Sequence, residues 1–196
     1  MDTYVYKIGN NLYVNLTNRC SNRCTFCVRN GKETFEGYAL WLREGEPTAE
    51  QVMAALGECD CEEVVFCGFG EPTIKLDVLL KVAKEIKARG GVTRINTNGQ
   101  ANMIHKRDVT GELAACIDKI NVSLNEATAE DYVKLCRPAF GEAAFAGLQD
   151  FAKKCAQRGI DTWFSVVDVI GEEKIGQCRR IARECGVALR VRAYIG

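Results

Sequence analysis

Apolar and polar positions alternate along this chain with two different periods. Short runs rich in β-branched residues occur at Tyr13–Thr17, Glu63–Phe66, Val92–Asn96, Ile120–Leu124, Ile160–Val167 and Val187–Arg192. Between them lie stretches with the helical period: Thr48–Gly57, Asp77–Arg89, Thr110–Cys116, Thr128–Cys136, Glu142–Arg158 and Gly171–Cys185. The second is the clearest. Val78, Leu79, Val82, Ala83 and Ile86 form an apolar stripe, lysines occupy the other face, and Gly90-Gly91 ends it. Phe145, Leu148, Phe151 and Ala152 form a similar stripe and are expected to be core, as are Trp163 and Phe164. Strands that alternate with helices imply parallel pairing through right-handed crossovers. A hairpin of Tyr4–Ile8 and Leu12–Thr17 around Gly9-Asn10-Asn11 is predicted ahead of the first crossover.

Parallel strands covered on both faces read as unbroken apolar runs. Three of these strands alternate instead. Arg94, Asn96 and Asn98 flank Ile95; Asn121, Ser123 and Asn125 flank Val122 and Leu124; Arg190, Arg192 and Tyr194 flank Val191 and Ala193. An exposed edge accounts for one such strand. Three together predict an α/β fold whose sheet is an open, partial (βα)6 barrel: one face on helices, the other lining a polar cavity. With 196 residues, no internal repeat and no linker, one domain over 1–196 is expected.

Composition narrows the chemistry. Twenty-six basic residues balance 26 acidic ones, so no general nucleic-acid binding is predicted. No apolar run reaches the roughly 20 residues of a membrane span, and the start lacks a signal peptide pattern. Cysteine is in excess: 11, an odd number, which points to a reducing cytoplasm with thiols free or metal-bound. A single histidine, His105, all but excludes paired-histidine catalysis and finger-type zinc sites. His105 falls in a polar loop and reads as solvated. Cys116, Cys136, Cys155, Cys178 and Cys185 lie singly in predicted helices and read as core; Cys59 and Cys61 read as small, partly buried thiols, with a second metal centre as the other possibility.

The strongest motif follows the first parallel strand. Cys20, Cys24 and Cys27 form a C-x3-C-x2-C run, three thiolates on one loop. Three such ligands suit an iron–sulfur cubane with one iron left open for a substrate or cofactor. The competing reading is a structural zinc site completed from elsewhere, for example by Cys67, although zinc ligands usually come as two spaced pairs.

Further motifs follow in order. Cys67-Gly68-Phe69-Gly70-Glu71-Pro72 comes after the second parallel strand, Asn96-Thr97-Asn98-Gly99 after the third, and Ser123 and Asn125 on the fourth. Glycines at 68 and 70 permit close backbone approach, and Glu71 is suited either to an ammonium or to fixing its loop. With Phe26 just before the third cysteine, the set resembles the radical S-adenosylmethionine (SAM) superfamily, and most closely its small TatD-associated members. One departure stands out: Phe69 replaces the first glycine of a Gly-Gly-Glu pattern.

The resemblance implies a [4Fe–4S] cluster on Cys20, Cys24 and Cys27. It implies SAM contacts from Phe26, Gly68, Phe69, Gly70, Glu71, Asn96, Ser123 and Asn125. It also implies reductive cleavage of SAM to a 5′-deoxyadenosyl radical that abstracts hydrogen from a small-molecule or peptide substrate, an electron donor such as flavodoxin or ferredoxin, and a functional link to a TatD-type hydrolase. Small members of the family include glycyl-radical activating enzymes, which act on a protein partner, and carboxy-deazaguanine synthases, which act on a heterocycle. A non-catalytic iron–sulfur or zinc module is the reading from a different class. Arg190 and Arg192 share a strand face, which is either a solvated edge or the cavity wall; at the wall, one would pair with the SAM carboxylate or with Asp168 and the other would suit an anionic substrate.

Overall fold

A computed structural model describes residues 2–58 and 61–194; Cys59 lies outside them. A hairpin of β1 (Val5–Ile8) and β2 (Asn11–Val14) opens the chain. A two-stranded ribbon, β3 (Thr34–Phe35) and β4 (Tyr38–Ala39), follows the cysteine loop. Strands and helices then alternate: α1 (Ala49–Leu56), β5 (Val64–Phe66), α2 (Leu76–Ala88), β6 (Thr93–Thr97), α3 (Ala101–His105), α4 (Thr110–Ala114), β7 (Lys119–Ser123), α5 (Ala129–Cys136), α6 (Ala143–Gln157), β8 (Asp161–Val167), α7 (Glu172–Glu184) and β9 (Ala188–Arg192). The main sheet runs β1-β2-β5-β6-β7-β8-β9, and β1–β2 is its antiparallel pair. The other neighbours pair in parallel, which gives the six expected βα strands. The sheet's ends, β1 and β9, do not pair with one another, so the barrel is open.

The two faces separate as the alternation requires. Ile95, Ile120 and Val122 are fully buried with the stripe of α2 and with Leu148, Phe151 and Ala152 of α6. On the other face, Glu63 pairs with Arg94 at 2.8 Å and with Lys119 at 2.6 Å, closing the strands' N-terminal end with charge. The same face carries Asn96, Asn121 and Ser123 toward the strands' C-terminal ends, where sites of parallel barrels sit.

The β3–β4 ribbon was absent from the periodicity, because two-residue strands carry no period. Its turn places both Glu36 and Gly37 at positive φ (49° and 81°), the primed geometry of tight hairpins. The short helix α3 was likewise unforeseen. His105 ends that helix rather than lying in a solvated loop, and its Nε2 donates to the carbonyl of Thr73 at 2.8 Å. Cys116, Cys136, Cys155 and Cys178 are buried as expected, and Cys61 and Cys185 are half-buried.

Candidate functional site

A cavity of about 280 Å³ opens at the C-terminal ends of the parallel strands. Cys20, Cys24, Cys27 and Phe26 form one wall, Gly68–Glu71 the next, and Asn96, Ser123 and Asn125 come from the sheet; Arg192 closes the far side. Every cofactor-contact residue expected from the sequence therefore lines one space. Arg190 does not. Its guanidinium lies 3.7 Å over the ring of Trp163, a cation–π contact that holds it lower on the strand. Asp168 pairs with neither arginine; it accepts the backbone N–H of Tyr194.

The cysteine loop is held from three directions. The N–H groups of Arg23 and Thr25 donate to the carbonyls of Cys136 and Leu135, tying the loop to the end of α5. Asn22 donates to the Tyr132 hydroxyl at 3.1 Å and accepts from Gln100 at 2.7 Å, all buried. Arg29 donates to the carbonyls of Asn18 (2.7 Å) and Phe69 (3.1 Å), clamping the cysteine loop to the glycine loop. Burial pushes the Cys20 thiol up to about 12, helped by the nearby Glu71 charge. The Cys24 thiol is raised by a hydrogen bond with Cys136 and by burial, and that of Cys27 by burial. Without a bound cation all three are neutral thiols at pH 7, so metal ligation there must displace protons.

Among the described residues, no three His, Cys, Asp or Glu side chains converge as ligands of a single metal ion. Cys20, Cys24, Cys27 and Cys67 all line the cavity without meeting at one point. A tetrahedral zinc ion would need its sulfurs all about 2.3 Å from one point. A cubane, which offers each thiolate its own iron, suits this spread donor set.

The glycine loop needs its glycines for the fold itself. A Cβ on Gly70 would sit 2.2 Å from the carbonyl oxygen of Thr17 and 2.5 Å from that of Arg19. One on Gly68 would sit 2.1 Å from Asn15 Oδ1. These glycines let the loop press on the strand end that launches the cysteine motif. Glu71 is spent on the fold as well. Its Oε1 accepts from Thr73 N (3.1 Å), Thr73 Oγ1 (2.6 Å) and Thr97 Oγ1 (2.7 Å), and its Oε2 from Asn98 N (2.8 Å). Burial pushes its pKa up, while those donors pull the other way. The departure at Phe69 also has a structural reason: the ring is buried in a small cluster with Tyr6 and Leu40, onto which Phe35 and Tyr38 of the ribbon pack.

Some residues support the site in ways the sequence did not show, and of these Asn22, Gln100 and Tyr132 gave no signal at all. Asn98 donates to Ser21 Oγ at 2.8 Å, and Asn22, Gln100 and Tyr132 support the cysteine loop across large sequence separations. Two buried carbonyl oxygens at the cavity, Asn121 Oδ1 and Asn125 Oδ1, have no hydrogen-bond partner among the described residues. Asn125 adopts a left-handed backbone (φ 63°) and donates to the Cys136 sulfur. A cavity walled by thiols, backbone amides and orphan carboxamide oxygens fits a cluster and a ligand with hydroxyl donors.

Residues 14–184 match the family model described as the Radical SAM superfamily. A probable GTP 3′,8-cyclase of Thermococcus kodakarensis is 29% identical over 147 residues, 73% of this chain and 44% of that protein. The fold resembles Streptococcus suis SuiB bound to its precursor peptide SuiA, with a TM-score of 0.70 and 16% identity over 97% of this chain and 40% of the other. It also resembles anSMEcpe with bound AdoMet, with a TM-score of 0.64 and 14% identity over 93% and 50% of the two chains. The chain thus spans less than half the length of that cyclase relative.

Proposed function

The chain belongs to the radical SAM superfamily, and from that membership we propose that it binds its [4Fe–4S] cluster through Cys20, Cys24 and Cys27 and cleaves SAM reductively for hydrogen abstraction from a substrate in the cavity. The observation that carries this reading is the convergence of the cysteine loop, the Gly68–Glu71 loop and the Asn96–Ser123–Asn125 face on one space. When bound, cluster and SAM together supply a 5′-deoxyadenosyl radical; the protein binds, orients and excludes water.

The three thiolates would leave one iron free for the amino and carboxylate groups of SAM. The Gly68–Glu71 loop, fixed by Arg29 and by the Glu71 hydrogen bonds, would present its backbone to the amino group. Ser123 and the orphan carbonyl of Asn125 would receive the ribose hydroxyls. Phe26, Phe69 and Val167 would keep bulk water from the reacting atoms. Arg192, on the far wall, is the chain's contact for the substrate. The GTP named for the cyclase relative is an anion of the kind a guanidinium holds. The reducing equivalent would come from a small donor such as flavodoxin or ferredoxin, in a reducing cytoplasm.

The test is anaerobic reconstitution followed by assay for reductant-dependent formation of 5′-deoxyadenosine and methionine. Full cluster loading with no SAM cleavage would leave only a binding module. Within that assay, Asn125→Ala is expected to weaken SAM binding about five- to tenfold, one hydrogen bond of about 1 kcal/mol, with iron content unchanged. Unaltered affinity would move the ribose to Asn96 or Asn121.

A further inference from the structure

Besides Ser123 and Asn125, the cavity is lined by the polar side chains of Asn96, Asn121 and Arg192. Asn96 and Asn121 are direct cross-strand partners on β6 and β7, with both carboxamides on the cavity face. Asn96 is committed: its Oδ1 accepts from Arg94 at 3.2 Å, and Arg94 is itself held by Glu63. Asn121 is not committed. It is 5% exposed, yet its Oδ1 has no donor among the described residues. A buried acceptor left so is costly, on a strand where an apolar residue would pack without loss.

Arg192 presents the complementary anomaly. It stands at the end of β9, across the curved sheet from the cysteine loop, and it lines the same cavity. The residue is exposed on the sheet edge, yet it also lines the cavity, and desolvation lowers the pKa of its guanidinium. No carboxylate pairs with it among the described residues: Glu71 is enclosed by its four donors, Asp168 takes the Tyr194 N–H, and Glu63 is held by Arg94 and Lys119. The group it does face is the Cys67 thiol, which burial keeps neutral. A cation without an anion and an acceptor without a donor thus line one cavity.

We propose that this part of the cavity is a substrate subsite for a small oxyanion that carries a hydroxyl or amino group. Arg192 takes the carboxylate or phosphate through its planar fork, and the Asn121 carbonyl accepts from the neighbouring O–H or N–H. The assignment rests on the enzyme reading above for its purpose, but not for its detection, since binding is measurable apart from turnover.

The experiment is calorimetry on cluster-loaded protein with SAM, using two matched pairs: L-malate against succinate, and glycerol 3-phosphate against propyl phosphate. In one pair, which identifies the anion, the hydroxylated compound is expected to bind at least fivefold tighter than its partner. Arg192→Ala should weaken both members of that pair at least tenfold, and Arg192→Lys should recover part of the loss. Asn121→Leu should erase the preference for the hydroxyl while the Arg192-dependent binding remains. Asn121→Asp, a like charge in the same space, should weaken both. Iron content and circular dichroism establish that each variant is folded and loaded. No Arg192-dependent binding in either pair, or a hydroxyl preference that survives Asn121→Leu, overturns the subsite. SAM cleavage in the wild-type protein without such binding removes the subsite alone; binding without cleavage removes the enzyme reading alone.

Discussion

Replacing Cys20, Cys24 or Cys27 by alanine is expected to take the reconstituted protein from about four irons to nearly none, and SAM cleavage with them. The expectation follows from where the other thiols are. Cys116, Cys155 and Cys178 are buried in the helical layer, and Cys136, though it meets Cys24, is fully buried at the end of α5. Among the described residues Cys67 is the other cysteine of the cavity lining, and it follows β5, the strand paired with the one that leads into the motif. Its backbone N–H donates to the carbonyl of Val14 at 3.0 Å, which fixes it to the sheet rather than to the cysteine loop. Cys67→Ala and Cys155→Ala should therefore retain a full cluster. The readouts are iron and sulfide content and the electron paramagnetic resonance signal of the reduced protein, with and without SAM. A Cys20→Ala protein that keeps a full, SAM-responsive cluster would show that the motif is not the ligand set.

The second large effect is expected at a residue whose carboxylate is taken up by hydrogen bonds within the fold. Glu71→Gln should destabilise the protein by about 1–3 kcal/mol, and Glu71→Ala by more. Two backbone N–H groups, of Thr73 and Asn98, point at different oxygens of the carboxylate. A glutamine can accept only one of them; whichever way its amide turns, an NH₂ meets the other N–H. Hydroxyls of Thr73 and Thr97 can rotate away, but backbone donors cannot. Alanine would leave all these donors unsatisfied in a site only 3% exposed at Glu71. The loss would reach function through position. Glu71 joins the glycine loop to the Thr97–Gly99 turn, and Asn98 in that turn holds Ser21 of the cysteine loop. SAM affinity should fall together with the denaturation midpoint. A Glu71→Gln protein with an unchanged midpoint and unchanged affinity would mean the carboxylate is not the anchor of the loop.

Much of the site was legible in the chain, and the residues show why. Cys20, Cys24 and Cys27 announce themselves because their spacing is covalent; three thiols within eight residues stay together in any fold. Asn96, Ser123 and Asn125 were recognisable because polar residues at every second position of a strand share a face, whatever that face meets. The stripe of α2 was legible on the same ground at the helical period. Arg190 and Arg192 mark where this reasoning stops. Strand period does put both on one face, and the cavity wall was one reading of that face. But Arg190 was taken by Trp163, 27 positions earlier in the chain, and only Arg192 reaches the space.

Local periodicity and covalent spacing, then, determined the strand order's raw material, the helical layer, the polar face and the cysteine loop, since each depends on neighbours within about a turn or a pleat. The tertiary structure alone decided how those parts were used. It turned Glu71 from a possible ligand contact into the anchor of three loops, through partners up to 27 residues away. It gave Gly70 its reason in the carbonyls of Thr17 and Arg19, and Phe69 its place beside Tyr6 and Leu40. It brought Tyr132 against Asn22, 110 residues apart. Such contacts leave no period in the sequence, because a hydrogen bond between distant positions constrains two residues and not the pattern between them.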